Sequence, residues 1–483
     1  MGRKITIEPV TRVEGHGKVT IHLDDDNNVA QTRLHIVEFR GFERFVQGRP
    51  YWEMPVLVQR LCGICPVSHH LAAAKALDVI VGAGTGDGLT PTGEKMRRLM
   101  HYGQIFQSHA LHFFHLASPD LLFGIDGDPL KRNIIGVAME HKDLAVQGVM
   151  MRKFGQEIIE ATAGKKIHGT GAIPGGINKH LSEEERDRFL KGDDPMNVDK
   201  MIEWSVAAID FFKDYHKKNR DLVDQFADFP SNFLSLVRKD GAMDLYHGVL
   251  RAVDPEGKKI LHDVDYQNYL DYIDEEVRSW SYMKFPYLKE FGKKQGWYTV
   301  GPLGRINTAD FIPTPLAQKA FEEFRAYNNG KPSCKSMHMH WARLIEVLHS
   351  AEMMKELLED PDIVKGELVV KGQKRSSGVG VIEAPRGTLF HHYEINGKDQ
   401  ITMANLIVST TNNNQPMNEA VNIIAKNYMS GQTEITEPMM NAVEVGIRAY
   451  DPCLSCATHA FGQMPLEVSL FDANNNLIDF KKK

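Results

Sequence analysis

Apolar and polar residues alternate over residues 5–10 (ITIEPV) and 18–24 (KVTIHLD). The alternation resumes after the turn Asp25-Asp26-Asn27-Asn28 and runs to Val37. A period of two puts one face of each run on a core, which predicts a small antiparallel sheet. Farther on the period lengthens to that of a helix. The Ala- and Leu-rich HHLAAAKALDVIVGAG and residues 92–123, 133–162, 198–226, 315–327 and 337–358 carry apolar side chains at helical spacing, as do 419–428 and 439–449. Ser182-Glu183-Glu184-Glu185 reads as a capping box that starts a charged helix. The glycine-rich GTGAIPGG (169–176) lacks the flanking strand and the lysine of a phosphate loop and is read as a tight crossing. Residues 369–387 read as strand and loop and 401–408 as a further strand, while 409–415 read as a polar loop and 228–313 as a mixture of turns and short strands. The class expected is mixed α/β, predominantly α, with a central helix bundle and small peripheral antiparallel sheets.

A length of 483 residues exceeds one simple core, so a single large unit with subdomains is expected. Hydrophobic content of 42% and charged content of 25% are those of an ordinary globular protein. A formal net charge of −6, with no basic stripe, argues against nucleic acid as a partner. MGRKITIEPV has no apolar signal region, and nowhere do about eighteen apolar residues follow one another. A cytoplasmic address and no membrane span are therefore expected.

Four of the five cysteines fall into two pairs, Cys62/Cys65 in RLCGICPVSHH and Cys453/Cys456 in DPCLSCATH. Each Cys-x-x-Cys sets two sulfurs close enough to chelate one metal, and two pairs supply a four-sulfur site that joins the two ends of the chain. A structural zinc is the plain reading of four such ligands. Against it, zinc modules are compact folds that lack a core of their own, and this chain has ample apolar residues for one. The compact cysteine spacings of ferredoxins are absent. Cys334 reads as an apolar filler. Taken alone, Glu14 is of a type that usually faces solvent, and the histidines of QSHALH (107–112) read as satisfied core residues. Arg386 is different, because its Ala-Pro-Arg-Gly setting is too apolar for a plain surface cation.

With both cysteine motifs in view, the sequence resembles the large, catalytic subunit of nickel-iron hydrogenases, most narrowly that of the cytoplasmic NAD-reducing (bidirectional) enzymes. ITIEPVTRVEGHGKV, VEFRGFERFVQGRPYWEMP, RLCGICPVSHH, SYMKFPYLKE, VGPLGR, EAPRGTL and GIRAYDPCLSCATHA carry the likeness across nearly the whole chain. It implies the hydrogenase large-subunit fold and reversible heterolytic cleavage of dihydrogen. Cys62, Cys65, Cys453 and Cys456 would bind nickel, with Cys65 and Cys456 bridging to an iron that carries carbonyl and cyanide ligands. Arg386 and Thr410 would donate hydrogen bonds to the cyanides, with Pro385 beside them and Asp120 and Asp451 orienting the arginine. The proton would go to Cys453 or Arg386 and leave through Glu14. His69 would tune a cysteine sulfur. Glu43, the Leu406 carbonyl and His459 would hold a magnesium-like ion.

The resemblance also implies that residues 1–459 form the catalytic unit and that an endopeptidase removes 460–483, a hairpin-like tail, after His459 once nickel is inserted. No cysteines remain for iron-sulfur clusters and no NAD fingerprint occurs, so the implied partners are a small iron-sulfur subunit and flavin/iron-sulfur diaphorase subunits. Electron-bifurcating and deazaflavin-reducing hydrogenases have similar large subunits. Two rival roles within the same fold are a hydrogen sensor, which typically lacks such a tail, and a complex-I-like scaffold, which lacks the nickel cysteines.

Overall fold

A computed structural model describes residues 3–83 and 88–458 together with the strands Glu467–Phe471 and Leu477–Lys482. The N-terminal alternation forms the expected sheet. Lys4–Ile7, Gly17–Leu23 and Val29–Ile36 pair antiparallel in sequence order, with Ile7, Val19, Ile21 and Leu34 buried.

The centre is helical, as the 3.6 period predicts. Pro91–Leu111 starts on Thr90, whose hydroxyl accepts the Gly93 N–H, and it packs along Lys142–Ala163. Glycines set that contact, since a Cβ on Gly155 would lie 2.6 Å from the Gly103 carbonyl. His338–Glu359 lies against both Pro91–Leu111 and Val198–Lys218 and is buried on nearly every face. The Ser182–Glu185 capping box forms as read.

Two helices anticipated as continuous are broken. The 133–162 run divides at His141, which leaves helical geometry (φ −134, ψ 52) between Ile134–Glu140 and Lys142–Ala163. The 198–226 run divides at Asn219, which leaves helical geometry (φ −122, ψ 36) and whose side-chain amide donates to the Tyr215 carbonyl in competition with the helical ladder. Near the end of the long central helix the turn widens to π geometry over His112–Ala117. Pro119 lies two residues beyond it, and a proline crowds the preceding turn and cannot donate to it.

The expected polar loop at 409–415 is instead helical, as Ser409–Asn412 and the start of Asn414–Met429. Its polarity serves the interior, not water. Ser409 donates to the Gly387 carbonyl, Asn412 to the Thr388 carbonyl and Asn414 to the Met283 carbonyl, while the Asn413 side chain accepts the Val300 N–H. The mixed stretch over 228–313 contains Asn232–Val237, Val249–Val253 and Lys259–Val264, joined by a parallel edge, Tyr298–Thr299, into one four-stranded sheet. In the tail, Glu467–Phe471 and Leu477–Lys482 pair antiparallel, as a hairpin requires.

Ser377–Ala384, Gly387–Ile395 and Ile401–Ile407 form an antiparallel sheet that sits deep in the molecule against Pro66–Ile80. Gly378 and Gly380 permit this approach, because a Cβ on either would lie 2.2 Å from a carbonyl oxygen of that helix. Gly380→Ala therefore forces helix and sheet apart and is expected to cost about 1–3 kcal/mol of stability. A denaturant midpoint equal to that of the unsubstituted protein would contradict the close packing.

Candidate metal centre

The first cysteine pair sits at a helix start. Cys62 ends the Val58–Leu61 turn, and Cys65 is the cap of Pro66–Ile80, with Pro66 supplying a backbone angle already suited to a first helical residue. The backbone N–H groups of Ile64 and Cys65 both donate to the Cys62 sulfur at 3.2 Å. Gln104 and Gln107, one turn apart on the central helix, both donate to the Ile64 carbonyl at 2.9 Å and fix the tip of the loop. Neither glutamine was anticipated; their i, i+3 spacing on either side of the apolar pair Ile105-Phe106 was the available signal.

The second pair follows Glu437–Ala449. The chain turns out of that helix at Asp451, which takes a left-handed backbone angle (φ 51), and Ser455–Ala457 forms a 3₁₀ turn. The Cys62 and Cys453 sulfurs lie 3.3 Å apart and those of Cys65 and Cys456 4.0 Å apart, while Cys453 and Cys456 are in direct contact. All four are buried, with sulfurs within 4.8 Å of one another. One soft four-sulfur donor set is thus assembled, as the two motifs require.

The N-terminal loop reaches this quartet from the side. Glu14 pairs with Cys453 in an isolated parallel bridge, and its backbone carbonyl accepts the Leu454 N–H at 2.9 Å. Its carboxylate lies 3.0 Å from the Cys453 sulfur and accepts both the N–H and the hydroxyl of Ser455. Gly15 makes this approach possible, since it adopts φ +82 and a Cβ there would lie 2.6 Å from the Ser455 nitrogen. Glu14 is half-buried, between the sulfurs and the outside.

Arg386 closes the opposite side. Pro385 and Arg386 form a two-residue turn between paired Ala384 and Gly387. Arg386 is 3% exposed, donates to the Asp451 carboxylate at 2.9 Å and to the Asp451 carbonyl, and reaches the Ser108 hydroxyl at 3.5 Å. Burial opposes its charge, but facing Asp451, with Cys65, Cys62 and Glu14 beyond, outweighs that and raises the guanidinium above its ordinary value. Behind the turn stands a buried ion network that sequence reading missed. Arg305 donates to Glu383 (2.9 Å), to both oxygens of Glu346 (2.6 Å each) and to the Ala384 carbonyl (2.9 Å), and Glu346 also pairs with His109 (2.8 Å). Burial works against the Glu346 charge, but Arg305 and His109 hold its carboxyl down to about 2. The signal available was a glutamate set between Leu344-Ile345 and Val347-Leu348, inside a short apolar run.

A small cavity between the sulfurs and Arg386 is lined by Cys65, Ser68, His69, Pro385, Thr410 and Cys456 among others. The Thr410 oxygen accepts the Cys453 N–H at 3.0 Å, which leaves its hydroxyl proton free to point elsewhere. The Ser68 hydroxyl is buried without a partner in the protein. His69 shares its Nδ1 with His391 Nε2 at 3.2 Å, and burial pushes the imidazole down to about 3. Sulfurs on one wall and unspent donors on the other suit a metal centre that carries small hydrogen-bond-accepting ligands.

Two expectations need adjustment. Asp120 does not serve Arg386; it is bound by Arg12, by Arg448 (3.1 Å) and by Asn441 (3.4 Å), because it lies beyond the π turn, facing the segment that carries Glu14. His459 lies outside the described residues. Its neighbour Thr458 accepts the Arg40 and Gly41 N–H groups (3.1 and 3.3 Å), close to Glu43, and Glu43 in turn accepts the Leu406 N–H at 2.9 Å.

Comparison with known proteins agrees with this geometry. A family model described as HoxL-like matches residues 4–39, and the nickel-dependent hydrogenase model matches residues 40–123 and 235–459. The chain is 55% identical to the NAD-reducing hydrogenase HoxS subunit beta of Cupriavidus necator over 99% of both chains, and 31% identical to the sulfhydrogenase 2 subunit alpha of Pyrococcus furiosus over 94% of this chain and 98% of that one. A crystal structure of an NAD+-reducing [NiFe]-hydrogenase in the H2-reduced state superposes with a TM-score of 0.90 at 53% identity, covering 95% of this chain and 99% of that one. The Ni-Fe-Se hydrogenase of D. vulgaris Hildenborough, at 23% identity and a TM-score of 0.75 over 95% of this chain and all of that one, shares the fold. Two cysteine pairs from opposite ends of one chain, gathered around a single point, are thus the centre of a member of the nickel-dependent hydrogenase family.

Proposed function

We propose that this hydrogenase subunit holds nickel on Cys62, Cys65, Cys453 and Cys456, and that Cys65 and Cys456 also hold an iron bearing carbonyl and cyanide. The cavity supports the second part, since Arg386 and the free Thr410 proton are donors suited to cyanide nitrogen and Pro385 adds an apolar wall. When bound, the centre supplies the electrophile on which dihydrogen is polarised and the store for its electrons. The residues of the chain handle the proton. Of the two candidate bases, Cys453 is preferred to Arg386, because its sulfur is 3.0 Å from Glu14 whereas the arginine is locked to Asp451. That contact carries the reading. Glu14 takes the proton from Cys453 on one carboxylate oxygen, and Ser455 fixes the carboxylate in place. Asp120 holds Arg12, two residues away, and so positions the relay loop. His69, kept neutral and bonded to His391, is suited to tuning a neighbouring sulfur through its other nitrogen.

Electrons leave through other chains, since Cys334 is the only cysteine outside the quartet. The proposed route is a small iron-sulfur subunit and then a flavin-bearing diaphorase that reduces NAD+, by likeness to the relative named NAD-reducing, itself a beta subunit. No helix among the described residues is long and apolar enough to cross a membrane. Glu43, the Leu406 carbonyl and His459 are proposed to hold Mg2+, with the Arg40 and Gly41 bonds to Thr458 bringing the chain end near Glu43. Removal of residues 460–483 by a maturation endopeptidase is part of the same proposal.

Glu14→Gln keeps the shape and the acceptor oxygen but cannot shuttle a proton. It is expected to retain nickel and iron near one each while losing dihydrogen oxidation by at least about 100-fold. Turnover close to that of the unsubstituted enzyme would remove Glu14 from the relay. Intact-mass measurement of the active enzyme is expected to show a chain ending at His459, and full activity with residues 460–483 attached would refute processing. In the purified complex, dihydrogen should reduce NAD+ without ferredoxin; a strict need for both acceptors together would place the enzyme with the bifurcating hydrogenases.

A further inference from the structure

Three helices meet at a second group of metal-ligand side chains far from the sulfur quartet in sequence. His216 lies in the last turn of Val198–Lys218, Asp224 in Arg220–Gln225, and His338 opens His338–Glu359. Their ligand atoms lie within 4.8 Å of one another. His216 Nε2 is 3.0 Å and His338 Nε2 3.3 Å from the same Asp224 oxygen. Ligands about 2.0–2.1 Å from a tetrahedral zinc are separated by a little over 3 Å, so each histidine already stands at nearly that spacing from the carboxylate oxygen, with the two imidazoles within 4.8 Å of each other. Both imidazoles are buried and Asp224 is 18% exposed, which leaves one side for entry and for a water ligand.

The surroundings are those of an oriented ligand set. Ser333 pairs with His338 Nδ1 at 2.8 Å, which directs Nε2 inward, and Tyr327 donates to the second Asp224 oxygen at 2.6 Å. Two cations also face Asp224. Lys335 Nζ is 3.3 Å from the oxygen the histidines share, and Arg220 Nε is 3.6 Å from the other. Both side chains reach solvent, at 23% and 71% exposure, so each can swing away.

We infer that His216, Asp224 and His338 form a site for a divalent transition metal of the zinc class, with Lys335 as the cation that a metal displaces. Two imidazoles and one carboxylate with an open fourth position suit Zn2+ or Co2+ and do not suit Mg2+. The metal would staple the three helices together, a role separate from dihydrogen chemistry.

The test is Co2+ binding to the purified, nickel-loaded enzyme, followed by its visible d–d absorption and by metal analysis after gel filtration. The unsubstituted enzyme is expected to take up one equivalent of Co2+ with a four-coordinate spectrum that Zn2+ abolishes. Asp224→Asn and His216→Gln should each lose that equivalent while retaining nickel. Tyr327→Phe should weaken binding roughly tenfold. Lys335→Met distinguishes this site from a plain ion-pair hub. If a metal competes with the lysine, its removal tightens Co2+ binding several-fold; if the lysine is the only cation the cluster holds, no equivalent binds with or without it. Absence of uptake in both the unsubstituted enzyme and Lys335→Met, or equal uptake in Asp224→Asn, would overturn the assignment.

Discussion

Sulfurs from residues 391 positions apart meet at 3.3 Å, and nearly every other feature near them follows from that demand. Closing so long a loop costs chain entropy that no pair of contacts repays on its own. The fold meets the cost by making each motif part of a larger packed element. Cys65 caps a wholly buried helix, and Cys453 lies between the segment carrying Glu14 and the Thr410 hydroxyl. The quartet is therefore a product of the assembled core, unlike a zinc module in which the metal stands in for one.

A second constraint is the buried charge of Arg386. A guanidinium removed from water is tolerated only where a fixed counter-charge faces it. Asp451 supplies the direct partner, from a left-handed backbone position two residues before Cys453. The turn that carries Arg386 is held in turn by Arg305, whose charge is matched by Glu346 and Glu383. Losing one member of such a network leaves an unpaired buried charge, a loss on the order of 3–5 kcal/mol. The network and the cysteine motif thus fix one another's position through a single ion pair.

Much of this was legible in the sequence, and the parts that were not share a cause. Alternation marked the N-terminal strands, helical spacing marked Pro315–Tyr327 to the residue, and the two Cys-x-x-Cys pairs marked the centre. Failures came where polar residues work inside the protein. Ser409–Asn414 looks like a solvent loop because polarity is assumed to face water, yet those side chains bond to interior carbonyls and amides. Asp120 carries no mark of which arginine it serves, since that depends on a widened helical turn. Arg305 and Glu346 are 41 residues apart and become a pair only by packing.

The arrangement also bears on how the proton and the electrons separate. The sulfur quartet has Glu14 on one side, half-buried and bonded to Cys453, and Arg386 on the other, enclosed by Asp451 and Ser108. A base must both accept a proton and release it each turnover. Arg386, with its charge stabilised by Asp451, would hold a proton too firmly for that and has no carboxylate leading outward. Its buried positive charge is better used to stabilise negative ligands at the centre, where a fixed donor in a dry site needs no reorganisation. On the proposed reading, then, the two sides of the quartet do different work: one is rigid and charged to hold the metals, the other short, carboxylate-lined and open enough for a proton to leave.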